Sequence, residues 1–312
     1  MISTDLNTKK LAMNKRSIFI TIAMILSYFP AFSQSVESAS ETKFFNAIRS
    51  NQKNSYITFG QGVGNIDPLI FEAYVSPFFL LRLKDDAKWG ATLTPAILLR
   101  MYNEKSLPVK TPSYMPQITF YQLLDNKTEK ITYTFLTLAH HSNGQADSFF
   151  LPDGSINTLS GSFSTNFIEF GLFFNKRLSK NFPSGEFFQS SLQIHLDVDR
   201  TTELEKRYSF YRWNNNFRVF RFPIGKDKGD LIHAPKLQTT VETTWLFGKL
   251  NDVKSFDLDK RFNFSITFNY HPEIFRDISF FLNFYSGADY YNIYFNERIN
   301  ALRIGIQAFT FR

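Results

Sequence analysis

The chain contains no cysteine. A protein of 312 residues then holds its fold by burial and hydrogen bonding alone, without disulfides. Beyond residue 33 no apolar run approaches the ~20 residues that a membrane-spanning helix needs. There is no Gly-x-Ser-x-Gly segment, which removes the strand-turn-helix nucleophile of the α/β-hydrolases. A large excess of charge is missing too. Residues 1–33 carry four basic residues and Asp5, so their removal lowers a net charge of +7 to +4, too small to argue for nucleic acid as a partner. Gly60-x-Gly62-x-Gly64 resembles a phosphate loop only superficially, because no helical pattern follows it.

What is abundant is aromatic: 17% of the residues, 37 of them Phe. The first 33 residues read as a cleaved signal peptide. Lys9, Lys10, Lys15 and Arg16 form a basic start, residues 17–30 are mostly apolar, and Ala31-Phe32-Ser33 is a small-x-small cleavage site ahead of Gln34. Met13 would give a leader of more typical length. An exported chain this rich in Phe and Ile, without a spanning helix, points to a closed barrel in which apolar residues alternate rather than cluster.

The alternation is visible. Between Phe262 and Tyr270 one face carries Phe262, Phe264, Ile266, Phe268 and Tyr270, and the other carries Asn263, Ser265, Thr267 and Asn269. Between Phe188 and Val198 one face holds Leu192, Ile194 and Leu196, and the other Gln189, Gln193 and His195. One side suits hydrocarbon and the other a polar lumen. Eleven such segments are placed, at 68–82, 89–102, 112–124, 130–141, 163–178, 186–199, 205–222, 232–248, 260–271, 276–287 and 298–311. Turn residues such as Lys84-Asp85-Asp86 and Asp227-Lys228-Gly229-Asp230 punctuate them. Bacterial barrels have even strand numbers, so a twelfth is expected, from Tyr56 to Gly62 or from a split 205–222 segment. Phe309 and Phe311 suit a last barrel strand. The expected fold is an all-β, antiparallel transmembrane barrel of about 12 strands, multi-pass in a bacterial outer membrane. Its domains are a signal peptide at 1–33, a periplasmic segment at 34–54 with Phe44, Phe45 and Ile48 on one side of a short helix, and a barrel at 55–312.

The chemistry gathers at His140-His141-Ser142-Asn143-Gly144, at the end of the 130–141 strand. Residues two apart in a strand share a face, so His140 and Ser142 are neighbours and His141 points the other way. A hydroxyl beside an imidazole is the minimum for an activated serine. The Ser-Asn-Gly turn offers backbone N–H groups to a developing oxyanion. Leu136 and Leu138 share the face of His140, and Ile168, Phe170 and Leu172 share the face of Asn166 on the next strand. All three polar residues then stand at the heads of lipid-facing columns, where polar groups are costly and need a reason. Asn166 is the candidate to orient the imidazole. His195 and Glu169 read as ordinary lumen residues.

The segment Ala139-His140-His141-Ser142-Asn143-Gly144-Gln145 resembles the His-x-Ser-Asn-Gly signature of the outer membrane phospholipase A family. Ser162-Phe163-Ser164-Thr165-Asn166 matches its Ser-x-x-x-Asn, and Ser106-Leu107-Pro108 with Tyr114-Met115-Pro116-Gln117 resembles its Ser-x-Pro and Tyr-x-Pro-Gln segment. The likeness runs in patches over roughly 65–312. It implies a phospholipase in which Ser142 is the nucleophile, His140 the base and then the acid, and Asn166 the orienting group. It also implies a homodimer binding Ca2+ through the carbonyl of Gln145, the hydroxyl of Ser162 and Ser106 of the second copy, all neutral oxygens. Two departures stand out. Phe149-Phe150-Leu151 and Asp153-Gly154-Ser155 lengthen the loop after Ser142, and Thr94 to Leu99 lacks the polar and tryptophan residues that the family places at its subunit contact. The alternatives are a lipid A 3-O-deacylase, which pairs His-x-Ser-Asn with a Glu on a smaller barrel, and a non-enzymatic channel.

Overall fold

Alternation drives the chain into strands, and backbone hydrogen bonding closes them on one another. The computed structural model describes residues 43–60, 63–106, 108–127, 130–176, 184–221, 236–251, 253–272, 274–275 and 277–308. The expected signal peptide, the turn at 227–230 and the closing residues 309–312 lie outside the described residues. The elements are α1 (Lys43–Ser50), β1 (Tyr56–Thr58), β2 (Val63–Gly64), β3 (Leu69–Val75), β4 (Phe79–Leu81), β5 (Trp89–Tyr102), β6 (Ser113–Lys127), β7 (Lys130–Ser142), β8 (Ser164–Lys176) and β9 (Ser184–Leu196). They continue with β10 (Tyr211–Arg221), β11 (Leu237–Phe247), the four-residue helix α2 (Leu258–Arg261), β12 (Phe262–Tyr270), β13 (Ile278–Ala288) and β14 (Arg298–Ala308).

Neighbours along the chain pair antiparallel from β5 to β14. β1 pairs both β3 and β14 and so closes the cylinder. β1 and β2 both run beside β14, and β3 and β4 both run beside β5. Counted as two interrupted staves plus β5 to β14, the barrel has twelve. The twelfth stave is thus the Tyr56 segment. The first part of the 205–222 segment is not strand: Tyr208 turns inward and is buried, as is Leu204 just before the segment.

Faces sort as a membrane requires. On β7 Leu136 and Leu138 are 39% and 41% exposed while Tyr133, Phe135, Thr137 and His141 are buried. On β12 Phe268 and Tyr270 are exposed while Ser265 and Asn269 are buried. Large apolar side chains in a continuous exposed band would be an aggregation liability in water and are the lipid surface of a barrel. β5 to β14 run from 9 residues (β12) to 15 (β6), enough for tilted strands, of which ~9–11 residues cross the hydrocarbon.

The lumen is filled at both ends. α1 lies inside it, with Phe44, Phe45 and Ile48 fully buried against Tyr121, Tyr133 and Phe173. Polar groups fasten it: Asn51 Nδ2 donates to Tyr133 Oη at 3.2 Å, and Arg218 Nη1 to the carbonyl of Ser50 at 2.7 Å. Gly171 is required beneath this layer, because a Cβ there would sit 2.4 Å from Phe135 Cζ. At the Ser142 end a second cluster includes Phe149, Phe163, Leu204, Tyr208 and Ile293. An ion network lies between the walls. Arg100 grips both oxygens of Asp289 (2.7 and 2.9 Å) and one of Glu72 (2.7 Å), and the other Glu72 oxygen accepts from Tyr56 and Tyr290. Every charge there is paired, as burial demands.

Candidate active site

β7 and β8 pair in a register that sets His140 opposite Asn166 and Ser142 opposite Ser164. Both pairs fall on the outward face, above Leu136, Leu138 and Phe170, the last 60% exposed. His140 Nδ1 lies 2.8 Å from Asn166 Oδ1. The amide is oriented by its other end: Asn166 Nδ2 donates to the carbonyl of Val198 at 2.7 Å, so Oδ1 is the atom that faces the ring. An amide oxygen only accepts. Nδ1 therefore carries a proton, which in the neutral ring leaves the lone pair on Nε2, the tautomer that a general base needs.

The turn after Ser142 is built by Asn143, which is almost fully buried. Its Oδ1 accepts from the backbone N–H of Gln145 (3.2 Å) and of Phe163 (3.0 Å), and its Nδ2 donates to the carbonyl of Gly161 (2.8 Å). One side chain thereby ties the strand leaving Ser142 to the strand entering β8. Gly144 sits at φ 67°, and a Cβ there would approach the Tyr114 ring at 3.3 Å, so two constraints favour glycine. Tyr114 is the cross-strand partner of Ser142 on β6 and stands exposed beside it.

Among the expected calcium ligands, Gln145 and Ser162 are drawn together. Asn143 binds the backbone of Gln145 and of Phe163, next to Ser162, and Ser162 N–H donates to the carbonyl of Asp147 at 3.0 Å. Ser106 belongs to the β5–β6 loop, exposed and at φ 71°, and among the described residues no bond links it to the other two. That loop is held from within: Tyr291 Oη donates to the carbonyl of Lys110 (2.8 Å) and Asn292 Nδ2 to the carbonyl of Thr111 (2.5 Å). No group of three or more His, Asp or Glu suited to a metal occurs among the described residues. The oxygens that are present, a carbonyl and a hydroxyl, are of the hard, neutral kind that Ca2+ accepts and are too few in one chain to saturate it. The long loop is ordered by its own bonds: Phe149 is buried, Phe150 bridges to Ile156, and Asp153 accepts from Ser155 N (2.9 Å) and Oγ (2.6 Å), which holds its carboxyl below the usual carboxylate range.

Two contributors were not assigned a role from the sequence. Asn143 reads as one more turn residue, although its place between Ser142 and Gly144 is a signal for a side chain that caps backbone groups. Tyr114 opens the Tyr-x-Pro-Gln segment, but its place beside Ser142 comes only from strand pairing.

The closed twelve-strand wall, its apolar outer band and its filled lumen define a multi-pass barrel of the bacterial outer-membrane type. Solved structures of outer membrane phospholipase A share this fold. The Escherichia coli protein superposes with a TM-score of 0.54 at 14% identity, over 83% of this chain and 91% of that one. An active-site mutant of that same protein gives 0.56 at 13%, over 86% and 98%. The Salmonella typhi protein, a dimer with bound calcium, gives 0.55 at 12%, over 86% and 98%. No protein-family model and no curated protein sequence matches the chain.

Proposed function

We propose that this barrel is a serine ester hydrolase that cleaves acyl esters of membrane phospholipids on its lipid-facing wall. The observation that carries the reading is the His140–Asn166 hydrogen bond on the outward face that also bears Ser142. A pore has no use for an oriented imidazole among lipid-facing leucines, and its lumen would not be filled by aromatic layers at both ends. Most connections at the Ser142 end, 143–163 the longest, exceed those at the other end, where 222–236 is the long exception and 128–129 the shortest; this supports Ser142 facing the cell exterior.

In this reading Ser142 Oγ attacks the ester carbonyl carbon as its proton passes to His140 Nε2. The tetrahedral oxyanion collapses, the lysophospholipid oxygen leaves with that proton, and an acyl-serine remains. Water, deprotonated by the same imidazole, releases the fatty acid and restores Ser142. Asn166 holds the ring through both protonation states; as a neutral partner it supplies orientation and little charge. Gln145 and Ser162, with Ser106 of the partner subunit, would hold Ca2+, which when bound supplies positive charge for the oxyanion. Dimerisation is part of this reading, as is cleavage of an export signal after Ser33, for which Gln34 should be the first residue of the purified membrane protein.

The test uses the full chain in mixed phospholipid micelles and follows fatty acid release with Ca2+ or with a chelator. A sulfonyl fluoride should label Ser142 alone, Ser142→Ala should silence release, and the chelator should suppress it. Release that survives Ser142→Ala overturns the assignment.

A further inference from the structure

Behind the Ser142 wall, on the lumen side, lies a cavity of about 570 Å³, within the ~300–1,000 Å³ usual for ligand pockets. Its lining is one-sidedly basic. Lys206, Arg207, Arg212, Lys260 and Arg298 face it, and the one carboxylate among the described lining residues, Asp289, is already gripped by Arg100 at 2.7 and 2.9 Å. Outside the lining, Glu169 faces Arg212, and Asp257 and Asp259 face Arg298; five cations against these three carboxylates still leave an excess of two positive charges.

Two side chains of the wall are short of partners. His141 and His195 are 8% and 5% exposed, both line this cavity, and the Nε2 of each is buried with no hydrogen-bond partner. Buried polar nitrogens are ordinarily satisfied, so such a pair marks a place where a partner belongs. The pair is held firmly. His195 Nδ1 lies 2.9 Å from Thr165 Oγ1 and its ring sits edge-on to Tyr208 at 5.0 Å, while His141 meets Phe163 at 4.9 Å. Arg212 is preset beside them. Its guanidinium lies on the Tyr208 ring at 4.4 Å and its Nε donates to the carbonyl of Ser209 at 3.3 Å. Its two Nη groups are the ones a tetrahedral oxyanion would meet edge-on. Arg298 donates to the carbonyls of Phe262 (2.7 Å) and Lys260 (3.2 Å) and contributes charge rather than free donors. Lys206, Arg207 and Lys260 are exposed and form a basic approach from the loop end.

We propose that the lumen at the Ser142 end binds a phosphate group, with Arg212, His141 and His195 as its donors and the exposed lysines as its funnel. Phosphate fits better than a monovalent anion because the excess of cations exceeds one charge and the donors come from three strands, β7, β9 and β10. The barrel wall separates this cavity from the lipid-facing serine, so the proposal stands apart from the esterase reading.

The test is titration calorimetry on the full chain in non-ionic micelles at fixed ionic strength, with inorganic phosphate as the probe and chloride as control. A second arm offers phosphatidic acid in phosphatidylcholine bicelles. Saturable binding of phosphate near one per chain is expected, weakened at least tenfold by Arg212→Gln and partly restored by Arg212→Lys. Binding in the bicelle arm alone, with the same dependence on Arg212, would assign the phosphate to a lipid headgroup; binding of inorganic phosphate assigns it to a water-soluble carrier. Should Arg212→Gln fail to fold, judged by heat-modifiable gel migration, Lys206→Gln/Lys260→Gln on the rim should weaken binding severalfold. Phosphate heats no larger than those of chloride, or heats unchanged in these folded variants, overturn the proposal.

Discussion

The two faces of one strand pair, β7 and β8, make a sharp contrast. Outward stand His140, Ser142 and Asn166; inward, one residue away in each case, stand His141 and Thr165. The composition is similar, since each face has an imidazole and a hydroxyl. The surroundings differ. The outward imidazole is tied by one side-chain bond, to an amide that is itself anchored to the Val198 carbonyl, and its neighbours are exposed leucines and Phe170. The inward face is packed into aromatic rings and touches no lipid. Residue type therefore does not assign a role here. The two-residue period of the strand does, by deciding which imidazole meets a membrane and which meets a lumen.

The largest effect should separate the faces outright. His140→Ala removes the only imidazole on the outward face of this strand pair, and fatty acid release should fall at least ~10³-fold, as when one member of a concerted triad is lost. The measurement is initial rate in mixed micelles, with folding checked by gel migration.

The next tests the lumen as a structural element. Arg100→Met leaves Asp289 buried without its cation and Glu72 with Arg303 alone, at 3.9 Å, which should cost about 3–5 kcal/mol of stability. Urea-induced unfolding in detergent reads this directly, and an unchanged midpoint would show that the network is dispensable. Asp289 opens the loop whose Tyr291 and Asn292 hold residues 110 and 111, so if Ca2+ binds as proposed, the variant should also lower its affinity, through the loop that carries Ser106.

Asn166→Ala returns to the outer face with a smaller effect. The ring loses the bond that fixes its tautomer, and kcat should fall about 10–100-fold, the worth of one hydrogen bond to a group that becomes charged in the reaction. KM should stay within about twofold, and Asn166→Asp should recover most of the rate. A change confined to KM would make Asn166 a substrate contact rather than an orienting group.

Much of this contrast was legible in the sequence because it depends on spacing. His-x-Ser, Ser-x-x-x-Asn and the leucine and phenylalanine columns all use the same period as the wall, so the faces of His140, Ser142 and Asn166 could be read from it. The strand ends at Leu196 and at Tyr211 could not. Tyr208 falls in a segment that reads as strand, and only the lumen's need for filling turns it inward. Helix α1 showed an apolar side in Phe44, Phe45 and Ile48, but its partners come from β6, β7, β8 and β10, far along the chain. Asn143 escaped for the opposite reason. Its bonds are local, to Gln145, Gly161 and Phe163, but what it accomplishes depends on the length of the intervening loop, which a turn residue does not encode.

The smallest predicted effect is the most discriminating, because it lies one residue from Asn166. Thr165→Val keeps the shape of the side chain and deletes the bond to His195 on the lumen side. Losing a buried bond of this kind should cost about 1 kcal/mol of stability, visible as a small shift of the unfolding midpoint. The rate of ester cleavage should stay within about twofold of the unaltered protein, since nothing on the lipid face has changed. If Thr165→Val instead lowered kcat as far as Asn166→Ala does, the wall would be transmitting position from lumen to lipid face, and the two faces would act as one site.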